Sequence, residues 1–193
     1  MMVKICGITN REDALAAVNG GAAALGFNFY PPSPRYLSVE KAAELTAILP
    51  AGICKVGIFV NEPARKVTEV MALAGLDVAQ LHGQETPAEY PQGVRVWKGI
   101  RVDPSALRTW EQDPAEAVLL DGLASGQTFD WKLAAGSLKK VILAGGLDAN
   151  NVRKAIEHAR PWGVDACSRL ESTPGKKDHF KMAEFLRTAL AAL

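Results

Sequence analysis

The sequence predicts an α/β fold, a (β/α)8 barrel of eight parallel strands. Eight short apolar runs are distributed along the 193 residues, and segments with helical patterning separate them. The runs are nearly continuous rather than alternating, which is typical of parallel strands buried on both faces. An open doubly wound sheet is the alternative architecture, but such sheets normally stop near five or six strands.

The eight predicted strands are short, and most are followed by glycine or by a polar residue that starts a turn. They span residues 3–6, 24–29, 55–60, 78–81, 94–99, 117–121, 141–144 and 163–166. Valine, isoleucine and phenylalanine are frequent in them, as expected for buried strands. Eight strands of this kind are sufficient to close a barrel.

Helical segments separate most of these strands. Asn10 or Thr9 can cap the first helix, whose early carboxylates suit its amino end, and Ser38 can cap the second. The predicted segments are residues 11–18, 39–49, 64–74, 87–90, 105–110, 150–159 and 177–190, with an irregular loop after the sixth strand. Because no linker, low-complexity segment or charge run divides the chain, residues 1–193 are predicted to form one domain.

Charge and composition exclude several classes of partner. The 22 Lys and Arg residues nearly balance the 21 Asp and Glu residues, so no overall field attracts nucleic acid or an anionic membrane. No run approaches the roughly 18 apolar residues of a membrane span, and the N-terminus lacks the features of a signal peptide. Cys6, Cys54 and Cys167 have neither a CxxC pair nor metal-ligand spacing. A cytoplasmic protein with reduced thiols is expected.

Polar residues stand at the carboxyl ends of the predicted strands, where barrel enzymes keep their chemistry. Cys6 ends the first strand and Asp121 the sixth, while Arg35 follows a loop with three prolines. Each has a structural alternative: a buried thiol, a turn residue and a surface cation. His82 is interpreted first as a hydrogen-bonded turn residue. The other polar strand ends are Asn28, Asn61, Gln80 and Lys98.

The last two strands carry the pattern of a phosphate site. Gly145 and Gly146 follow the seventh strand and precede a helix, so backbone N–H groups can approach a phosphate without obstruction. The eighth strand contains Asp165 and leads to Cys167 and Ser168. Phosphate sites in this fold commonly follow strands seven and eight. For the two glycines alone, an ordinary tight turn is the alternative.

A set of short motifs occurs in a fixed order along nearly the whole chain. They are KICGIT, GFNFYPPSPRY, VGIFVN, QLHG, LLD with TFDW, LAGGL with NV, and GVD with ES and PGKKD. In this order they resemble the phosphoribosylanthranilate isomerase family of tryptophan biosynthesis. The resemblance implies a TIM barrel without cofactor or metal. It also implies an Amadori rearrangement of N-(5'-phosphoribosyl)anthranilate to 1-(2-carboxyphenylamino)-1-deoxyribulose 5-phosphate.

The resemblance also implies a role for each motif residue. Cys6 matches the general base, Asp121 the general acid and Arg35 the group that meets the anthranilate carboxylate. The residues that match the phosphate site are Gly145, Gly146, Asp165, Cys167 and Ser168. Ring opening needs a proton donor and the next step a proton acceptor, which suits an acid and a base on different strands. The expected partner is a small phosphorylated substrate, and a monomer is favoured over a homodimer.

Two departures from the family pattern concern loops. The family's loop between Asp121 and Thr128 is longer, and Arg169 stands where the family motif SSGVE has glycine. Either the backbone at Arg169 needs no positive φ or the phosphate loop is altered. The arginine is predicted to add a charge contact to the phosphate. Because barrel closure makes the first and eighth strands neighbours, Cys167 is predicted to lie near Cys6.

Two other functions stay open at this point. One is another aminoaldose-phosphate isomerase of the same fold, of the histidine-pathway type. That reaction resembles a paired-aspartate mechanism, whereas the first strand here ends in Cys6. The other is a phosphoribosyl-binding barrel without turnover, which the joint presence of Cys6, Asp121 and Arg35 opposes.

Overall fold

Eight parallel strands form a closed barrel in sequence order. The computed structural model describes residues 1–102, 108–123 and 127–192. The strands are β1 Met2–Ile5, β2 Ala24–Asn28, β3 Cys54–Phe59, β4 Val78–Leu81, β5 Arg95–Arg101, β6 Ala117–Asp121, β7 Lys140–Leu143 and β8 Gly163–Ala166. All eight lie within two residues of their predicted positions. Since β8 pairs with β1, the predicted barrel is confirmed and the open sheet is excluded.

Five α-helices and several 3₁₀ helices connect the strands in the described ranges. The α-helices are α1 Arg11–Asn19, α2 Val39–Ala47, α3 Ala64–Leu73, α4 Val152–Ala159 and α5 His179–Leu190. The 3₁₀ helices are Pro87–Glu89, Thr109–Gln112, Trp131–Ala134 and Ser168–Leu170. The predicted helix at residues 105–110 falls partly outside the described part, and the described remainder begins a 3₁₀ helix. None of the described helices is long and apolar enough to cross a membrane.

The predicted caps of the first two helices are present. Asn10 accepts a hydrogen bond from the backbone N–H of Asp13 at 2.8 Å, which satisfies one free donor at the start of α1. Ser38 accepts one from Lys41 at 3.2 Å and does the same for α2. Local sequence therefore determines where these helices begin.

A short hairpin after β8 corrects the predicted start of the last helix. Its strands are β9 Glu171–Thr173 and β10 Lys176–Lys177, which pair antiparallel. The sequence predicts a helix from residue 177, but the backbone N–H of Lys177 donates to Asp13 at 2.7 Å, and Asp178 caps α5 instead. The hairpin brings Glu171 and Lys177 to the mouth of the barrel.

Apolar side chains fill two layers, one inside the barrel and one between the barrel and the helices. Successive side chains along a strand alternate between these layers. In β1, Val3 and Ile5 belong to the outer layer, whereas Lys4 points inward. In β6, Leu119 belongs to the inner layer, so Asp121 has the same inward direction. The alternation therefore directs particular strand-end residues into the barrel mouth.

A buried ion pair joins the first and last strands. Lys4 and Asp165 are register partners, and Nζ of Lys4 lies 3.0 Å from Oδ2 of Asp165. Burial raises the pKa of Asp165 to about 7, although the attraction of Lys4 opposes this. Burial acts to lower the pKa of Lys4, but Asp165 and Cys6 raise it above its ordinary value. Lys4 is therefore a fixed positive charge beneath the rim.

Candidate active site

The carboxyl-terminal rim of the barrel surrounds a cavity of about 640 Å³, a size that suits a small-molecule ligand. Every site residue predicted from the sequence lines this one cavity. These residues are Cys6, Arg35, Asp121, Gly145, Gly146, Asp165, Cys167 and Ser168. The strand-end residues Asn28, Gln80 and His82 line it as well.

Two other predicted strand-end residues have different surroundings. Nζ of Lys98 lies 2.6 Å from Oε2 of Glu85 and donates to the carbonyl of Gly83 at 2.8 Å. Asn61 has a positive φ of 54° and its backbone N–H also donates to Glu85, at 2.6 Å. Both residues therefore support the loops after β3 and β4 rather than the cavity.

Cys6 and Cys167 are neighbours at the base of the cavity, as predicted. The backbone N–H of Cys6 donates to the carbonyl of Ala166 at 3.0 Å, which continues the β1–β8 ladder to the two cysteines. Glycines provide the space for their sulfur atoms. A Cβ at Gly26 would lie 2.9 Å from Sγ of Cys6, and one at Gly7 would lie 2.9 Å from Sγ of Cys167. Any larger residue at either glycine would press on a thiol.

The surroundings of Cys6 favour its thiolate. The hydrogen bond from Cys167 is the largest influence lowering the pKa of Cys6, and Lys4 and Lys177 add to it against the opposing effect of burial. The same hydrogen bond and burial raise the pKa of Cys167. Nζ of Lys177 lies 3.7 Å from Sγ of Cys167 and is fully buried. Two buried cations thus face one pair of thiols, which equips Cys6 to accept a proton.

Arg35 is held by a carboxylate that sequence reasoning missed. Its Nε and one terminal nitrogen donate to the two oxygens of Glu171 at 2.8 Å and 2.6 Å. Lys177 donates to the same carboxylate at 3.1 Å. Although burial opposes it, hydrogen bonding from Arg35 and the charge of Lys177 lower the pKa of Glu171. The bidentate pair fixes the plane of the Arg35 guanidinium at the cavity wall.

Asp121 stands across the mouth from Cys6, at the end of β6. Nε2 of His82 lies 3.5 Å from Oδ2 of Asp121, and Nδ1 of His82 lies 3.1 Å from the side-chain nitrogen of Gln80. His82 is thus more than the turn residue that the sequence first suggested, since it faces the predicted acid. Gly145 approaches Asp121 so closely that a Cβ there would lie 2.8 Å from Oδ1.

The turn after β7 has the backbone expected of an anion cradle. Gly145 and Gly146 have positive φ values of 79° and 61°. Nδ2 of Asn151 donates to the carbonyl of Gly146 at 2.8 Å and holds the turn against the start of α4. Arg169 lies 3.6 Å from Asp148 and lines the cavity. Its backbone has no positive φ, which settles why arginine is tolerated at that position.

Three residues that line the cavity, or support residues that line it, were not identified from the sequence. Glu171 and Lys177 belong to the quoted motifs, but their partners become evident only when the hairpin is in place. Arg101 lines the cavity beside Asp121, its register partner on the next strand. Its position at the carboxyl end of β5 could have indicated from the sequence that it lines the cavity. In the loop after Asp121, residues 124–126 lie outside the described part of the chain.

Comparison with known proteins points to one family. Residues 3–188 match the family model described as N-(5'phosphoribosyl)anthranilate (PRA) isomerase. A relative from Solibacter usitatus (strain Ellin6076), named N-(5'-phosphoribosyl)anthranilate isomerase, is 54% identical over 200 residues. That match covers 100% of this chain and 99% of the relative.

Solved structures have the same fold. The phosphoribosyl anthranilate isomerase from Thermus thermophilus is similar with a TM-score of 0.95 and 35% identity over 100% of both chains. A phosphoribosyl anthranilate isomerase in complex with reduced 1-(o-carboxyphenylamino)-1-deoxyribulose 5-phosphate has a TM-score of 0.89 and 38% identity over 99% of both chains. Matched over nearly its whole length, the chain belongs to the N-(5'-phosphoribosyl)anthranilate isomerase family.

Proposed function

We propose that this chain catalyses the Amadori rearrangement of its family through Cys6 as general base and Asp121 as general acid. The substrate is N-(5'-phosphoribosyl)anthranilate, and the product is the corresponding carboxyphenylamino-deoxyribulose phosphate of tryptophan biosynthesis. The observation that carries the proposal is the convergence of both residues on one cavity, from β1 and β6. Family membership favours this reaction over the histidine-pathway alternative.

The first step opens the ribose ring. The anilino nitrogen releases its electron pair toward C1 while the bond from C1 to the ring oxygen breaks, and Asp121 gives its proton to that oxygen. The product is an open-chain protonated imine. His82, at 3.5 Å from Asp121, is a polar neighbour that can orient the carboxyl group.

The second step moves a proton from carbon. The positive imine acidifies the hydrogen on C2, and the thiolate of Cys6 removes it to form an enolamine, which tautomerises to the ketose. Cys167, Lys4 and Lys177 lower the pKa of Cys6, which raises the fraction of its thiolate at a given pH. Each proton transfer typically contributes about a hundredfold to ten-thousandfold.

Substrate orientation comes from the two ends of the molecule. Arg35 faces the anthranilate carboxylate, since a guanidinium fork matches that group. The phosphate occupies the turn after β7 and the start of the 3₁₀ helix after β8, where Gly145, Gly146 and Ser168 supply backbone N–H groups. Asp165 and Cys167 contribute to phosphate binding through their backbone. The Asp165 carboxylate itself is paired with Lys4 and does not face the phosphate as a free charge.

We further propose that residues 1–193 form one domain, that the protein is a monomer and that it acts in the cytoplasm. The near balance of 22 basic and 21 acidic residues suits a protein whose partner is a small molecule rather than nucleic acid.

The test is an assay with freshly made N-(5'-phosphoribosyl)anthranilate, followed by the loss of substrate fluorescence. Cys6→Ala and Asp121→Ala should each lower kcat by about a hundredfold or more. Cys54→Ala is the matched control, because Cys54 lies at the opposite, amino-terminal end of β3. It should keep the full rate. A double Cys6→Ala, Asp121→Ala variant that turns over like the parent protein would overturn both assignments.

A further inference from the structure

We propose that Cys6 and Cys167 form an oxidisable dithiol site, which a hydroperoxide converts to a disulfide between β1 and β8. Nothing in the isomerase reaction requires two thiols. The SSGVE motif of the family that this chain resembles has serine at the position of Cys167, so that motif does not supply the second thiol. The site is reversible, because a thiol reductant restores both cysteines.

The backbone brings the two cysteines within reach of one another. Ile5 and Ala166 are register partners, and the hydrogen bond from Cys6 to Ala166 extends the ladder by one residue. Neighbouring strands lie about 4.8 Å apart. Disulfides join Cα atoms about 4.4–6.8 Å apart, so the ladder supplies the required separation.

The side chains of Cys6 and Cys167 both point toward the inside of the barrel. Lys4 and Asp165 point into the barrel, where they form their ion pair. Alternation along the strands gives Cys6 and Cys167, two residues further on, the same direction. Both thiols line the cavity, so a small oxidant reaches them by the route that substrate takes. Cys54, the third thiol of the chain, starts β3 at the far end of the barrel.

Charge assigns the order of events. The pKa of Cys6 is lowered and that of Cys167 is raised, so Cys6 is the thiol that ionises first. Once Cys6 has been oxidised to an uncharged sulfenic acid, the negative charge that opposes ionisation of Cys167 is gone. Lys177, with Nζ 3.7 Å from Sγ of Cys167, then favours a second thiolate against the opposing charge of Glu171, whose Oε1 accepts a hydrogen bond from the same sulfur at 3.8 Å. Cys6 is therefore the attacking thiol and Cys167 the resolving one.

The reaction balances with hydrogen peroxide as the oxidant. The Cys6 thiolate attacks one oxygen, the O–O bond breaks, and Cys6 sulfenic acid and hydroxide form. The Cys167 thiolate then attacks the Cys6 sulfur, the S–O bond breaks, an S–S bond forms and a second hydroxide leaves to take up a proton as water. The two sulfur atoms lose two electrons in total, and the peroxide gains two.

The experiment treats the reduced chain of residues 1–193 with hydrogen peroxide and analyses it by mass spectrometry without reductant. We expect the intact mass to fall by two hydrogen atoms and a proteolytic digest to contain Cys6 and Cys167 in one linked product. Activity should disappear in parallel and return with dithiothreitol. Cys54→Ser should behave like the parent protein.

Cys167→Ser is the matched variant, because it keeps a hydroxyl donor beside Cys6. There we expect oxygen adducts on Cys6 and no loss of two hydrogens. Oxygen adducts on Cys6 of the parent chain without a linked product would overturn the proposal, as would a link to Cys54. The effect on turnover rests on the proposed role of Cys6. A linked product with an undiminished rate would support the dithiol and overturn that role.

Discussion

Lys177 is the residue whose charge has the clearest consequence for pH dependence. Its buried ammonium lies beside the thiol pair and helps to lower the pKa of Cys6. A lowered thiol pKa keeps the thiolate, which is the proposed general base, available to lower pH. In Lys177→Met the pKa of Cys6 rises, so the acid limb of the kcat/KM profile should move to higher pH. The loss of rate should be larger at acid than at alkaline pH.

Lys176→Met is the matched control for this prediction. Lys176 is the adjacent residue of β10 but is exposed. Titration of thiolate absorbance, compared with a Cys6→Ser background, provides a readout that does not depend on turnover. An acid limb that stays in place in Lys177→Met would show that Lys177 only supports the hairpin.

Glu171 is predicted to act on substrate binding through Arg35. In Glu171→Gln the guanidinium of Arg35 loses its charged bidentate partner. Its orientation toward the substrate carboxylate is then no longer fixed before binding. We expect KM to rise by about tenfold, equivalent to about 1.4 kcal/mol, with a smaller change in kcat. Steady-state kinetics at saturating and limiting substrate separates the two parameters.

Glu116→Gln provides the comparison. Glu116 forms the same two-pronged contact with Arg95, at 2.7 Å and 2.9 Å, but on an exposed surface at the start of β5. The Glu116→Gln variant should therefore have the KM of the parent protein. An unchanged KM with a reduced kcat in Glu171→Gln would contradict the positioning role.

Some residues of the cavity could be predicted from the sequence, and others could not. The place of Cys6 and Asp121 at the cavity could be predicted because each ends an apolar run, and strand ends in a barrel converge on one rim. Glu171 and Lys177 were not, because their effect depends on a hairpin whose pairing is set by tertiary contacts. The preference for a turn role for His82 missed its partner Asp121, which comes from a strand two places along the barrel.

At the scale of elements, the turn after β7 lies against the loop that follows Asp121 and β6. Gly145 has a φ of 79°, and a Cβ there would lie 2.6 Å from both the Gln127 carbonyl oxygen and the Gly122 nitrogen. In Gly145→Ala we expect backbone strain of about 1–2 kcal/mol together with displacement of Asp121. Activity should therefore fall more than stability, as measured by kcat/KM and by urea unfolding.

Gly136→Ala is the control that separates backbone strain from displacement of Asp121. Gly136 has a similar φ of 68°, but a Cβ added there would meet nothing within 4 Å, so only the backbone cost remains. That variant should lose about 1–2 kcal/mol of unfolding free energy and keep its activity. Equal activity losses in both variants would argue against the link between the β7 turn and Asp121.

Strands were easier to predict than their connections. An apolar run of four to seven residues leaves little freedom in its position, and the caps Asn10 and Ser38 define two helices. The connections after β4 and β5 have weaker patterns, and both contain 3₁₀ helices in the described ranges rather than α-helices. A short segment without a long apolar face is shaped by the strands that it joins.

At the scale of the whole molecule, we predict a monomer. The large exposed apolar side chains of the described residues belong to different elements and loops of the chain. They include Leu73, Leu123, Leu138 and Phe180. Small-angle scattering should give a radius of gyration of about 16 Å, as expected for 193 residues in one compact domain.

The hydrodynamic mass should correspond to 20.6 kDa and stay constant on dilution. A mass near twice this value at micromolar concentration would contradict the monomer.

The closure of the barrel by β1 and β8 also has a consequence for biosynthesis. Cys6 with Cys167 and Arg35 with Glu171 join the two ends of the chain; the second pair is separated by 136 residues. A ribosome releases the amino-terminal strands first, long before their partners exist. Contacts between distant residues also form slowly. Nascent or truncated chains that lack β8 therefore lack both the ladder that places Cys167 beside Cys6 and the carboxylate that holds Arg35, so the cavity is assembled only after β8 and the hairpin have been synthesised.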